Sequence, residues 1–343
     1  MDTHRDAQLA AVLSLTGAVL ATDEFPATSA GYRDLLKWAR KSGTVGRAGV
    51  EGTGSYGASL SRYLLAQGVD VFDVNWMDRA DRRRRGKSDP LDAQNAARAV
   101  LSGRASGAKT GDGPVQIARM YKLTKVSAVK ARTQAINQLK AVLVTADPVL
   151  REELAGLGNA ELLRTCALFT GVSSREDAGA ESVVQATRIT LGLLAHRLGQ
   201  LSEQIRDVET RLSRLVEWHA SQLLDVVGIG PDTAVALLIT VGDNPERLDN
   251  EASFAALCGV SPVERSSGRR QFRRLNRGGD RQANAALHRI VFTRLRCDPR
   301  TQTYYERRTQ EGKTRRESIR CLKRYAAREV FNLVRPVPVT PSL

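Results

Sequence analysis

The four cysteines of this 343-residue chain, Cys166, Cys258, Cys297 and Cys321, are scattered, and no two share a CxxC spacing. The four histidines, His4, His196, His219 and His288, do not gather beside them. These absences argue against a structural zinc site or a disulfide framework and point to a reducing cytosol. Long apolar runs are missing too. Residues 234–241 form one of the longest, far short of the ~20 residues that span a bilayer. No internal repeat and no long low-complexity tract is visible. Residues 9–21 are apolar enough to resemble a signal-peptide core, but Asp2 and Asp6 acidify what should be a cationic start. Ser14, Thr16 and Gly17 then interrupt the run. It reads as two strands around a turn in a chain expected in the cytoplasm, with no membrane partner.

What is present in excess is positive charge. Hydrophobic content of 42% and charged content of 26% are ordinary, but the net charge is +15 and the pI about 10.1. The excess is local: residues 264–335 carry 21 Lys or Arg against 7 Asp or Glu. A block of that density predicts a polyanionic partner, nucleic acid first. The length allows two or three domains.

Residues 1–105 read as α/β. Strands are expected at 7–15 and 18–25 around Thr16-Gly17, then a helix at 28–42 and a short strand at 45–50 ending in Glu51. A glycine-rich turn at 52–57 leads to a helix through Leu64, and residues 69–74 form another buried strand. A basic run, Arg82 to Arg85, precedes a helix that opens at Asp89-Pro90-Leu91-Asp92 and closes near Ser102. Strands alternating with helices imply a sheet covered by helices. Residues 103–113 read as a linker and 115–146 as a helix, with a polar, glycine-containing interval at 147–180. From 182 to 219, Leu191, Leu194, Leu198, Leu201, Ile205, Val208, Leu212 and Leu215 recur at spacings of three and four, a coiled-coil or long-hairpin stripe. The domains are therefore 1–105, 106–220 and 221–335, with a tail at 336–343.

Asp89 and Asp92 share a helix face, because positions three apart stack. Two carboxylates there, near Arg and Lys, suit a hard divalent cation that also meets phosphate oxygens. Equally, Asp89 reads as an N-cap with Pro90 and Asp92 in the first turn, satisfying free amides and the helix dipole. Asp2 at the first strand and Glu51 at the end of a later one complete a four-acid set of the kind an RNase H-like nuclease assembles. Each has an ordinary alternative as a solvated or strand-end charge. Gly228-Ile229-Gly230-Pro231 has the look of a helix-hairpin-helix turn, whose glycines let the backbone approach a phosphate, or of a plain tight turn. Ser266 and Ser267 lie before Gly268 and the cluster Arg269, Arg270, Arg273 and Arg274. A serine there can attack a phosphodiester, or the pair are turn residues touching phosphates.

Five stretches together carry a resemblance: Asp2-Thr3-His4-Arg5-Asp6, the run from Gly49 to Tyr56, Gly86 through Ala93, the Gly228–Pro231 turn, and Gly259-Val260-Ser261-Pro262 leading to Ser266-Ser267-Gly268. The chain resembles the DEDD transposases of insertion-sequence family one hundred and ten, the group of the invertase Piv and the recombinase MooV. The resemblance implies an α/β RNase H-like (RuvC-like) N-terminal domain, a coiled-coil middle and a mainly helical C-terminal transposase domain. It implies that Asp2, Glu51, Asp89 and Asp92 hold magnesium, and that Ser267 forms a covalent phosphoserine. It also implies donor and target DNA paired by a structured guide RNA, and a dimer-based tetramer whose two centres meet across protomers. In such a fold the first acid follows an apolar half-strand, and here only Met1 precedes Asp2. The expectation is either in-frame apolar codons upstream of Met1 or a vestigial first strand. A hydrolytic junction nuclease and a non-catalytic DNA-binding protein are the competing functions.

Overall fold

The computed structural model describes residues 1–74, 88–109, 113–169, 182–266 and 273–334. Contacts divide the chain into two compact units, Met1–Ile117 with Asp225–Leu343, and Ala118–Leu224.

The first part of the larger unit is α/β. Strand β1 (Asp2–Thr3) pairs antiparallel with β2 (Ala7–Leu13), and β2 with β3 (Val19–Pro26). Helix α1 (Ser29–Arg40) starts at Thr28, whose hydroxyl accepts the Gly31 amide at 3.1 Å. Strand β4 (Arg47–Val50), helix α2 (Ala58–Ala66) and strand β5 (Asp70–Asp73) follow, with β4 and β5 parallel. Helix α3 (Asp89–Leu101) comes next. Met1 stitches β1 to β4: its α-ammonium donates to Gly49 O at 2.7 Å, and the Glu51 amide donates to Met1 O at 3.1 Å. Beneath lie Leu35, Leu36, Val50, Leu60 and Leu64, all essentially solvent-free. Each such side chain stabilises the fold by about 1.5–3 kcal/mol through its burial.

The strands and helices expected in residues 7–102 are found within a few residues of their expected ends. The segment read as a linker differs. It forms β6 (Ser106–Gly107), which pairs antiparallel with β5. Its carbonyls and amides are taken up by the late part of the chain: Asn244 donates to Ala108 O at 2.8 Å, and the Asp243 carboxylate accepts from Gly113 and Val115. Composition marked this stretch as irregular and could not see partners more than a hundred residues away.

The smaller unit is helical. Helix α4 (Pro114–Val144) leads into it, followed by α5 (Pro148–Ala155), α6 (Asn159–Ala167) and α7 (Val183–His219). The interval read as polar thus holds two short helices, whose Leu150, Leu154, Leu162 and Cys166 join Leu139, Leu191 and Leu198 in one core. In the α7 stripe, Leu191, Leu198, Ile205, Val208 and Leu212 are buried, while Leu194, Leu201 and Leu215 are half-buried. A buried lysine, Lys125 of α4, meets Glu209 of α7 at 2.8 Å. The stripe therefore serves pairing within the chain.

The larger unit resumes with α8 (Pro231–Val241), α9 (Glu251–Leu257), the pair β7 (Val263–Glu264) and β8 (Arg273–Arg274), then α10 (Arg281–Cys297), α11 (Pro299–Gln310) and α12 (Arg315–Val334). Asp280 caps α10 by accepting from the Gln282 and Ala283 amides and takes a further bond from Thr240 on α8. Among the described residues, no helix is long and apolar enough to cross a membrane.

Candidate metal and nucleic-acid sites

Helix α3 reaches β4 because Gly49 offers no side chain beneath it. A Cβ on Gly49 would lie 2.6 Å from Ala96 O and 2.7 Å from Val100 Cγ2. With hydrogen there instead, α3 packs on β1, β2 and β4. Its N-cap is Ser88, not Asp89, and the Ser88 side chain makes no capping bond. Asp89 and Asp92 are thus within the helix, Asp89 exposed and Asp92 buried. The capping account of Asp89 does not hold.

Asp2 is buried, and its Oδ2 lies 3.2 Å from His4 Nε2. The same nitrogen lies 3.6 Å from Asp89 Oδ2. One ligand atom from each of these residues falls within 4.8 Å of the others. Glu51 sits at the end of β4, its carbonyl accepting from Thr3 Oγ1 at 2.8 Å. Burial pushes the Met1 α-ammonium down to about 5, while the charges of Asp2 and Glu51 pull it upward. Both carboxylates thus act on one point, the Met1 ammonium. Two carboxylate oxygens and an imidazole nitrogen are donors that a divalent cation accepts, so the residues present fit a metal.

His4 was not among the residues singled out by sequence. The available signal was proximity: His4 follows directly on β1, two residues after Asp2. The buried Gln8 amide donates to His4 O at 3.1 Å, and the His4 amide donates to Ala7 O at 3.0 Å, so the turn is held from both sides.

Ser267, Arg269 and Arg270 lie outside the described residues, in the segment joining β7 to β8. Ser266 is described and exposed, and its Oγ donates to Glu264 Oε1 at 2.7 Å. Arg273 and Arg274 form β8 and are exposed. Gly228 has a φ of +87°, a left-handed conformation suited to glycine, and a Cβ there would lie 3.0 Å from Ile290 O. Arg294 of α10 donates to Val227 O at 2.8 Å. The Gly228 side of the turn is therefore packed against α10. Gly230, which precedes α8, is exposed and open.

Part of the basic block at 264–335 gathers around a cleft that its charge count did not show. A cleft of about 800 Å³ is lined by Gly259, Asn276, Arg277, Arg281, His288 and Arg289, among others. Its floor is fixed by Asn284, which donates to Cys258 O and Gly259 O and accepts from Lys323. Burial, then the neighbouring Arg320, pushes the Lys323 ammonium below its ordinary value. Other arginines of the basic block are engaged internally: Arg294 with Glu329 at 2.7 Å, and Arg324 and Arg328 with Glu251.

Residues 1–148 match the DEDD transposases of the IS110 type, and residues 220–306 match the group described as "Transposase IS116/IS110/IS902 family". Over 150 residues the chain is 33% identical to the uncharacterized 43.6 kDa protein of insertion element IS110 of Streptomyces coelicolor, covering 43% of this chain and 37% of that protein. Over 156 residues it is 26% identical to the uncharacterized 42 kDa protein of insertion element IS900 of Mycobacterium paratuberculosis, covering 44% of this chain and 39% of that one. Each aligned stretch thus spans less than two fifths of the relative's length. The two family matches together take in about two thirds of the chain and define its class, the transposases of insertion sequences. Within that class, the chain belongs to the IS110 family.

Proposed function

We propose that this chain cuts and rejoins DNA to move an insertion sequence, with Asp2, Glu51, Asp89 and Asp92 holding magnesium and Ser267 as nucleophile. The observation that carries the reading is the meeting of Asp2, from the first strand, with Asp89, from a helix far along the chain, on either side of His4. On this reading residues 1–105 are an RNase H-like (RuvC-like) domain and 106–220 a linker and coiled-coil region. Residues 221–335 are the transposase domain with the serine, and 336–343 a tail.

A cation bound at the acids supplies Lewis-acid stabilisation of charge on a phosphodiester. The chain's own residues do the rest. The Ser267 hydroxyl loses its proton and bonds to phosphorus. The bond from phosphorus to the leaving deoxyribose oxygen breaks, and that oxygen takes up a proton. Attack by a deoxyribose hydroxyl of the other DNA then releases the serine and joins the strands. Arginines beside the serine, Arg269, Arg270, Arg273 and Arg274, offset charge on phosphorus and hold the backbone. Gly230 presents the open N-terminus of α8 to a phosphate, and the packed Gly228 holds that turn on α10. By resemblance to the family, a structured guide RNA pairs with donor and target DNA, and the protein acts as a dimer or tetramer in the bacterial cytosol.

Ser266 is the second candidate nucleophile, because Glu264 accepts its hydroxyl proton at hydrogen-bonding distance. The test is a denaturing gel of labelled donor DNA with guide RNA. Ser267→Ala should abolish the covalent protein–DNA adduct while leaving nucleic-acid binding intact, and Ser266→Ala should keep it. Asp89→Ala, Asp92→Ala and EDTA should abolish it too. Adduct from Ser267→Ala moves the role to Ser266, and cleavage without any adduct establishes the hydrolytic nuclease instead.

A further inference from the structure

We infer that His4 is a further ligand of the cation, through Nε2, so that an imidazole nitrogen joins the carboxylates beside it, Asp2 and Asp89, and the site favours manganese(II) over magnesium more than carboxylates alone do. The inference rests on the metal reading above. Its distances come from the molecule itself. In an octahedron with bonds of about 2.1 Å, neighbouring ligand atoms lie about 3 Å apart. Nε2 is 3.2 Å from Asp2 Oδ2 and 3.6 Å from Asp89 Oδ2, close to such an edge on both sides.

The backbone that carries the imidazole is also held in place. Gln8, with none of its surface exposed, spends its amide on the His4 carbonyl, and the His4 amide is bound to Ala7 O. A metal-ligating histidine needs that kind of fixed backbone, since ring orientation decides which lone pair meets the ion. The ring is half exposed, as is Asp89, so an ion has a path from solvent.

Oxygen donors suit magnesium and manganese(II) alike, so carboxylates alone separate them little; manganese(II), at the start of the first-row transition series, accepts an imidazole nitrogen more readily than magnesium does. The alternative role for His4 is a protonated bridge between the two carboxylates. A bridge competes with a cation for the same oxygens and makes the opposite prediction for its removal.

The test is pulsed electron paramagnetic resonance of the full chain loaded with Mn²⁺, with binding titrated from the signal of the free ion. The wild type should show nitrogen modulation from a directly bonded imidazole. Growth on ¹⁵N-histidine should replace those frequencies, a measurement that needs no variant. His4→Gln should lose the modulation and bind Mn²⁺ about tenfold more weakly, while Mg²⁺ binding, read by competition, changes by only about twofold. Circular dichroism checks that the variant folds. Mn²⁺ bound without nitrogen modulation, yet weakened by Asp89→Asn, overturns the His4 assignment and leaves the metal site standing. Equal or tighter Mn²⁺ binding by His4→Gln overturns it in favour of the bridge. No Mn²⁺ binding by the wild type removes both the inference and the magnesium reading on which it rests.

Discussion

Cys258 lies fully buried beside the cleft, with its own carbonyl accepting from Asn284 at 3.0 Å. Burial first, then the Asp280 charge, pushes its thiol up to about 12, against the pull of Lys109. A group of that kind is thiolate at roughly one part in ten thousand at pH 8, and the thiolate is the reactive form. Iodoacetamide at pH 8 should therefore label the exposed Cys297 and leave Cys258 and Cys166 unmodified until the chain is unfolded. Peptide mass spectrometry checks this, and rapid native labelling of Cys258 contradicts its burial. Single residues were legible in the sequence where local spacing decides their side. Asp89 and Asp92 both lie on α3, as their spacing predicts, one exposed and the other buried. His4 carried a signal of proximity, two residues after Asp2 and directly past β1, but its second partner, Asp89, comes from a distant helix that no spacing rule reaches.

Between elements, the contacts that set the site depend on what is missing from a surface. Gly49→Ala adds one methyl group where α3 crosses β4, against the Ala96 carbonyl of the main chain as well as the Val100 side chain. Overpacking of this kind costs about 1–3 kcal/mol. The variant should melt at a lower temperature and bind Mn²⁺ more weakly, because α3 carries Asp89 and Asp92. Wild-type melting and binding would mean that α3 does not press on β4. A different contact ties α9 to α12. Glu251 receives Arg328 and Arg324, whose hydrogen bonds, Arg328's first, hold its carboxyl below the ordinary value near 4.5. An acid with a lowered folded value stabilises above its unfolded value, and that contribution disappears as pH falls through the folded one. Glu251→Gln should thus melt earlier than wild type at pH 7, with the gap closing toward pH 3. A gap that persists at pH 3 assigns the effect to packing. Periodicity made the helices and the α7 stripe readable. It could not reveal β6, two residues long and defined only by the strand beside it.

Across the whole chain, the basic excess is divided between internal ion pairs and exposed arginines. If the exposed set holds nucleic-acid backbone, binding should weaken steeply with salt, with a log–log slope of about −0.9 per phosphate neutralised on duplex DNA. Changing Arg277, Arg281 and Arg289 to Ala should shallow that slope as much as changing Arg273 and Arg274. Fluorescence anisotropy across a salt series measures both. An unchanged slope in the cleft variant returns those arginines to a structural role. Charge counting located the block and could not divide it, because Glu251 and Glu329 take up their arginines only in the folded chain.

The larger unit is built from both ends of the chain, with Ala118–Leu224 inserted between them. This imposes an order on synthesis. The acids of β1, β4 and α3 leave the ribosome first. Asp243 and Asn244, which receive and bind the segment after β6, follow only after the entire helical insertion. At about 5–20 residues per second, the gap is roughly 6–25 s. A translation product that stops inside the insertion carries every carboxylate of the candidate metal site but neither candidate serine nor its arginines. If the nucleophile is Ser267 or Ser266, as proposed, incomplete chains lack the group that bonds to DNA.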